Sequence, residues 1–177
     1  MIAPTLETAR LRLRAYRPED FEAFAALFAD PRVTRHVAAG PLRREEAWDG
    51  FLRRFGLWAA LGYGFFAIEE KATGRLVGEA GFQERRRAIA PSLEGLLEAG
   101  WLLAVDAQGK GYAREAMEAA LGWAQARFPQ AGIACIVAPD NAASLRLAAR
   151  LGFAETARVD WNGRQTVRLD LPFRGEM

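Results

Sequence analysis

Cysteine and histidine are nearly missing from this sequence, which has one of each, Cys135 and His36. A single cysteine excludes an internal disulfide, and the two residues together fall short of a four-ligand zinc site. Neither a metal nor an oxidising compartment is expected. Long apolar runs are missing too. No stretch approaches the roughly 18 residues of a membrane-spanning helix, and MIAPTLETARLRLR at the amino terminus is charged where a secretory leader would be apolar. The expected setting is the cytoplasm, without membrane contact. Lysine is scarce, at 71 and 110 only, so arginine carries the positive charge. Acids are interspersed among the arginines and the formal net charge is +2, although the pI is about 9.0. With no basic stripe and no set of stacking aromatics, a nucleic-acid partner is not expected.

What is present is a globular balance of 51% hydrophobic and 26% charged residues, enough for one packed domain spanning residues 1–177. Leu11, Leu13 and Ala15 alternate with Arg12, Arg14 and Tyr16, which predicts a strand with one buried face. RPEDFEAFAALFADP predicts a helix opened by Pro18 and stopped by Pro31. A second helix is expected over residues 43–61, with Ala47, Phe51, Phe55 and Trp58 at helical spacing. A hairpin follows at 65–69 and 76–82 around KATGR, then a polar, mobile loop, QERRRAIAPSLEG. The rest reads as a strand at 98–105, a helix to about 128, a strand at 133–137, a helix at 141–151, and closing strands at 153–159 and 166–171. This order predicts an α/β fold with a mixed sheet flanked by helices.

The stretch VDAQGKGYAREAMEAALGWA joins a predicted strand to a helix whose Ala113, Ala116, Met117, Ala120, Leu121 and Ala124 share one face. A helix start with glycine before it offers unpaired N–H groups and about half a positive charge, which suits a phosphate or pyrophosphate. Glycines serving turn geometry alone remain the alternative on the local sequence. The triphosphate loop does not fit, because Lys110 is followed by Gly111 and Ala104 stands where its first glycine belongs. The dinucleotide fingerprint fails at Arg114, in its third glycine position.

Gln108, Gly111 and Ala113 do match Q-x-x-G-x-A, and here the chain resembles the GNAT N-acetyltransferase superfamily, whose equivalent turn holds the pyrophosphate of acetyl-coenzyme A. APDNAASLRLAARLGF, residues 138–153, resembles a second block of that superfamily. LETARLRLRAYRPEDFEAFAALFADPRVTRHV and EAGWLLAVDAQGKGYAREA resemble its ribosomal-protein N-terminal acetyltransferase branch.

The resemblance implies a mixed sheet of about seven strands and transfer of an acetyl group from acetyl-CoA to a primary amine by direct attack, with no metal and no covalent enzyme intermediate. It implies that the Trp101 backbone N–H points at the thioester carbonyl and that Leu103 pairs its backbone with the pantetheine arm. Gln108, Gly109, Lys110, Gly111, Tyr112 and Ala113 would cradle the pyrophosphate, mostly through main chain. Asn141 would reach the pantetheine, cap its helix, or both. The superfamily's frequent tyrosine acid is replaced by Ala148, so Ser144, one turn earlier, becomes the candidate for stabilising the leaving thiolate. Glu98 is the candidate base, acting through water, with an ion pair to an arginine as its alternative. His36 is a candidate for the acceptor mouth.

The expected acceptor is the α-amine of a protein, ribosomal by the branch resemblance. Its rival is a small amine such as a polyamine, amino acid or aminoglycoside. A non-catalytic acetyl-CoA-binding protein is a third reading, raised by Ala148. Arginines 85, 86 and 87 are placed to steer an acidic protein. Trp48, Phe51, Trp58 and Trp161 exceed what a small domain's periphery needs, which points to a homodimer.

Overall fold

The computed structural model describes residues 3–36 and 40–172. Its strands are β1 (Leu6–Glu7), β2 (Leu11–Arg14), β3 (Phe65–Glu70), β4 (Leu76–Gln83), β5 (Leu97–Leu103), β6 (Ile133–Val137), β7 (Ala154–Trp161) and β8 (Arg164–Leu171). The helices are α1 (Phe21–Ala29), α2 (Pro31–Thr34), α3 (Arg44–Leu61), α4 (Tyr112–Arg127) and α5 (Ala142–Arg150). The eight strands form one mixed sheet in the order β1-β2-β3-β4-β5-β6-β8-β7. β5 and β6 run parallel, joined through α4 as parallel neighbours require. The strand beyond the expected seven is β1, whose two residues are too few to show a period.

The chain divides into two compact units, one of residues 1–81 and 101–121, the other of residues 82–100 and 122–177. The first packs α1 and α3 around Tyr16, Phe24, Phe28 and Phe51, all buried. Tyr16 meets Phe24 and Phe51 edge-on, with ring centroids 5.7 and 5.5 Å apart. Inside this core Arg54 lies among the rings of Phe24, Phe28 and Phe65, and its Nε donates to Glu79 Oε2 at 3.0 Å. The Tyr16 hydroxyl donates to the same oxygen at 3.0 Å, and burial, aided by the Glu79 charge, pushes this phenol well above its ordinary range. Removing one partner of such a buried pair costs about 3–5 kcal/mol, because the other charge is stranded.

One local expectation changes. Arg14 and Tyr16 do not face solvent: Arg14 is buried, its guanidinium held by Asp20 and Glu69, so the alternating pattern conceals a second packed face. α1 ends at Ala29, ahead of Pro31 as expected, and Pro31 then opens the short α2, because Asp30 accepts the Arg32 N–H and proline suits a first helical position. On α3, Phe51 and Trp58 are core residues, whereas Trp48, Leu52 and Phe55 are exposed.

The second unit sets β6, β8 and β7 antiparallel. The segment 84–96 is not the loose polar loop expected from its composition. Its Ile89 and Leu93 are buried against Ala134 and Val159, and the Arg168 guanidinium donates to the Pro91 and Ser92 carbonyls at 3.2 and 3.1 Å. Cys135, on β6, is buried, and desolvation pushes its thiol up to about 12. Among the described residues no helix is long and apolar enough to cross a membrane, and no cluster of three or more metal-ligating side chains occurs.

Candidate active site

In the first unit, β5 ends in a 3-10 turn, Val105–Ala107, and the chain then runs through Gln108–Gly111 into α4. Gly109 and Gly111 have φ of 74° and 81°, the left-handed region that side-chain-bearing residues avoid. A Cβ on Gly109 would meet nothing within 4 Å, so that glycine is set by backbone sign and its surface is open. Residues 108–111 are exposed, and the first N–H groups of α4 lack intrahelical acceptors, as at any helix start.

Side chains of this motif turn inward and brace the loop. Gln108 Nε2 donates to the Leu103 carbonyl at 3.0 Å. The buried Tyr112 donates its hydroxyl to Glu70 at 2.6 Å, which holds Glu70 below its ordinary range and Tyr112 above its own. Lys110 is exposed, its ammonium 5.8 Å above the Tyr112 ring. Ala113 is half-buried on α4. Main chain, together with the exposed Lys110 side chain, is thus what the turn presents outward. Three residues absent from the sequence reading complete it: Thr8, Arg10 and Glu115. Glu115, in the first turn of α4, accepts hydrogen bonds from the Thr8 hydroxyl and the Arg10 backbone, and Arg10 Nη1 reaches the Lys110 carbonyl. Their signal was an acid in a helix's first turn, with its partners a hundred residues away.

The β5–β6 ladder has two Cα partners, Leu97 with Ile133 and Glu98 with Ala134. β5 continues through Ala99–Leu103 without ladder partners in β6, and this stretch carries half-buried Trp101 and buried Leu103.

In the second unit Glu98 is buried. Arg87 grips its carboxylate through Nε, 3.0 Å from Oε2, and Nη2, 2.7 Å from Oε1, while Gln83 Nε2 donates to Oε1 at 2.9 Å. The Arg87 guanidinium carbon stands 4.2 Å above the Trp161 ring. The side chains of Arg87 and Glu98 are 7% and 5% exposed, so neither addresses solvent. Meeting an acceptor amine would require this cluster to open, which weighs against Glu98 as the base and takes Arg87 out of the set steering an acidic partner. Asn141 caps α5, its Oδ1 accepting the Ser144 N–H at 3.1 Å. Ser144 is half-buried, and Ala148, one turn on, is fully buried. His36 is half-buried after α2, bordering residues 37–39 outside the described residues.

The chain matches the acetyltransferase (GNAT) domain over residues 10–154. It belongs to the GNAT family. The GNAT fold uses acetyl-CoA as co-substrate, and the chain is an acetyl-CoA-dependent N-acetyltransferase. A Bordetella pertussis structure assigned to the GnaT acetyltransferase family is 32% identical, with a TM-score of 0.84 over 96% of this chain and 100% of that one. YkkB of Bacillus subtilis is 31% identical over 89% of this chain and 90% of its own. Two structures share the fold at lower identity. The ribosomal-protein-S5-alanine acetyltransferase of Vibrio fischeri is 19% identical, TM-score 0.75, over 99% of this chain and 100% of that one. The spermidine N-acetyltransferase of Vibrio cholerae, in complex with CoA and spermine, is 20% identical, TM-score 0.73, over 92% and 95%. The turn at Gly109–Gly111, open at Gly109 and followed by the first amides of α4, is the kind of surface on which a pyrophosphate binds.

Proposed function

We propose that this GNAT enzyme acetylates the α-amine of a protein or peptide, a ribosomal protein being the reading of its branch resemblance. The observation that carries this choice is the Arg87 clamp on Glu98. A polyamine needs carboxylates to pair with its several charges, and the acid on β5 is already neutralised within the protein. The neighbouring loop displays exposed Arg85 and Arg86, the latter paired with Glu84, so that this acid too is engaged within the protein. An α-amine carries one charge, and its pKa of about 8 leaves a usable neutral fraction near pH 7, whereas a lysine at about 10.4 needs a stronger base.

Acetyl-CoA supplies the activated acyl group. In this proposal the amides of Gly109–Ala113 bind its pyrophosphate, and Leu103 aligns the pantetheine through its backbone. The Trp101 N–H polarises the thioester carbonyl, and Ser144 stabilises the departing thiolate by a hydrogen bond. Direct attack is favoured because the one thiol of the chain, Cys135, is buried and pushed up to about 12, which removes it as an acyl carrier.

The test is thiol release from acetyl-CoA against peptides with different N-terminal residues, polyamines, amino acids and aminoglycosides. Turnover is expected on peptides. Turnover confined to small amines would move the acceptor to that class, and CoA binding without turnover on any acceptor would favour the non-catalytic reading.

A further inference from the structure

Arg10 lies outside the coenzyme motif, in the connection between β1 and β2, yet all three of its guanidinium nitrogens act on the motif's end of α4. Nε donates to Glu115 Oε2 at 2.7 Å, Nη2 lies 2.7 Å from the same oxygen, and Nη1 donates to the Lys110 carbonyl at 2.9 Å. Glu115 is itself fixed. Its Oε1 takes the Arg10 backbone N–H at 2.8 Å and the Thr8 hydroxyl at 2.6 Å, and the three bonds, Thr8 foremost, outweigh burial and hold this carboxyl below its ordinary range. The Arg10 guanidinium also stacks 4.7 Å above the Tyr112 ring.

The peptide joining Lys110 to Gly111 is planar and trans, so its C=O and N–H point in opposite directions. Holding the Lys110 oxygen against Arg10 therefore aims the Gly111 N–H away from Arg10. Gly111, at φ 81°, has no side chain to fix this peptide by packing, and that of Lys110 is exposed. A charge-assisted bond at the carbonyl also polarises the peptide and strengthens its N–H as a donor.

We infer that Arg10, anchored by Glu115 and Thr8, is a positioning residue for the coenzyme that turns the 110–111 peptide so that the Gly111 N–H is presented to a phosphate oxygen. This rests on the turn being the pyrophosphate site. The Arg10 charge is already balanced by Glu115, so its effect comes through geometry and not through attraction of the anion. A lysine, with charge but no planar fork, does not replace it.

The experiment titrates CoA calorimetrically into the wild type, Arg10→Ala, Arg10→Lys, Arg12→Ala and Gly111→Val, with Tm and steady-state kinetics alongside. Arg10→Ala is expected to weaken CoA about tenfold and to raise KM for acetyl-CoA by the same factor, with kcat at saturation nearly unchanged. Arg10→Lys should keep the wild-type Tm through its ion pair with Glu115 yet remain weak for CoA. Arg12→Ala removes an equal charge, paired with Glu7 and Glu69, and should leave CoA affinity unchanged. Folded Arg10→Ala with wild-type affinity overturns the inference, as does equal weakening in Arg12→Ala or full recovery of affinity in Arg10→Lys. Should Arg10→Ala not fold, Arg10→Lys carries the test. Loss of CoA binding in folded Gly111→Val with no effect at Arg10 would sink this inference alone, whereas retained binding in Gly111→Val would sink the turn as the pyrophosphate site.

Discussion

At the scale of single residues, the departure at position 148 is filled by packing. Ala148 is fully buried in α5, so a polar group there would face the interior, and Ser144 is the hydroxyl one turn nearer the helix start. A serine is a weak acid, and its contribution is that of one hydrogen bond. Ser144→Ala is expected to lower kcat about tenfold while the CoA dissociation constant stays as it was. Stopped-turnover kinetics with parallel calorimetry checks both, and a wild-type kcat removes the role. Gln108 and Tyr112 illustrate the converse: residues that a motif nominates for the ligand spend their side chains on Leu103 and Glu70, and so hold the backbone of the turn.

At the scale of elements, segment 84–96 behaves as a part of the second unit's core. Arg87 ties its start to β5 through Glu98, Ile89 and Leu93 pack beneath it, and Arg168 of β8 holds its far end by two carbonyls. Arg87→Ala strands the buried Glu98 charge, and a loss of about 3 kcal/mol in unfolding free energy is expected by urea titration. The same variant should be cut by trypsin within 84–96 faster than wild type. Equal cleavage rates would show that Ile89, Leu93 and Arg168 suffice to hold the segment. The sequence made the turn at Gln108–Ala113 and most helices legible, because glycine, proline and apolar spacing are local signals. It offered an ion pair to an arginine as the alternative for Glu98, and the structure shows that pair; what it hid was that the partner is Arg87 and that both side chains are buried, since two charges eleven residues apart look like surface. It hid Arg14 for a related reason: period-2 alternation reports polarity, and a buried arginine satisfied by Asp20 and Glu69 is polar without being exposed. Arg10 had no local signal, its partners being about a hundred residues downstream.

At the scale of the whole molecule, arginine pairing governs the response to pH. Glu7, Glu69, Glu115 and Asp170 all sit below their ordinary carboxyl range: hydrogen bonds lead at Glu7 from Lys71 and at Glu69 from Arg14, whereas at Glu115 and Asp170 they overcome an opposing burial effect. Carboxyls lowered by folding contribute stability that is complete above the unfolded values, about 4, and is lost as pH falls through the folded ones. Tyr112 is shifted upward by its bond to Glu70, so its contribution is complete below about 10 and is lost at higher pH. Burial raises the Cys135 thiol as well, so its contribution begins to be lost above the unfolded thiol value, about 8.5, and the Tm is therefore expected to stay level from about pH 5 to 8 and to fall on both sides. A Tm that rises on acidification below pH 4 would contradict the acid limb.

The bond from Arg10 to the Lys110 carbonyl joins residues 100 positions apart, and that to Glu115 joins residues 105 apart. Closing such a span has to be done against chain entropy before it is rewarded, which places it late in folding. During synthesis Thr8 and Arg10 emerge well before the helix they clasp, and they wait unpartnered until it arrives. On the proposed assignment of this turn to the coenzyme, a ligand that favours the clasped form draws the nascent chain toward completion.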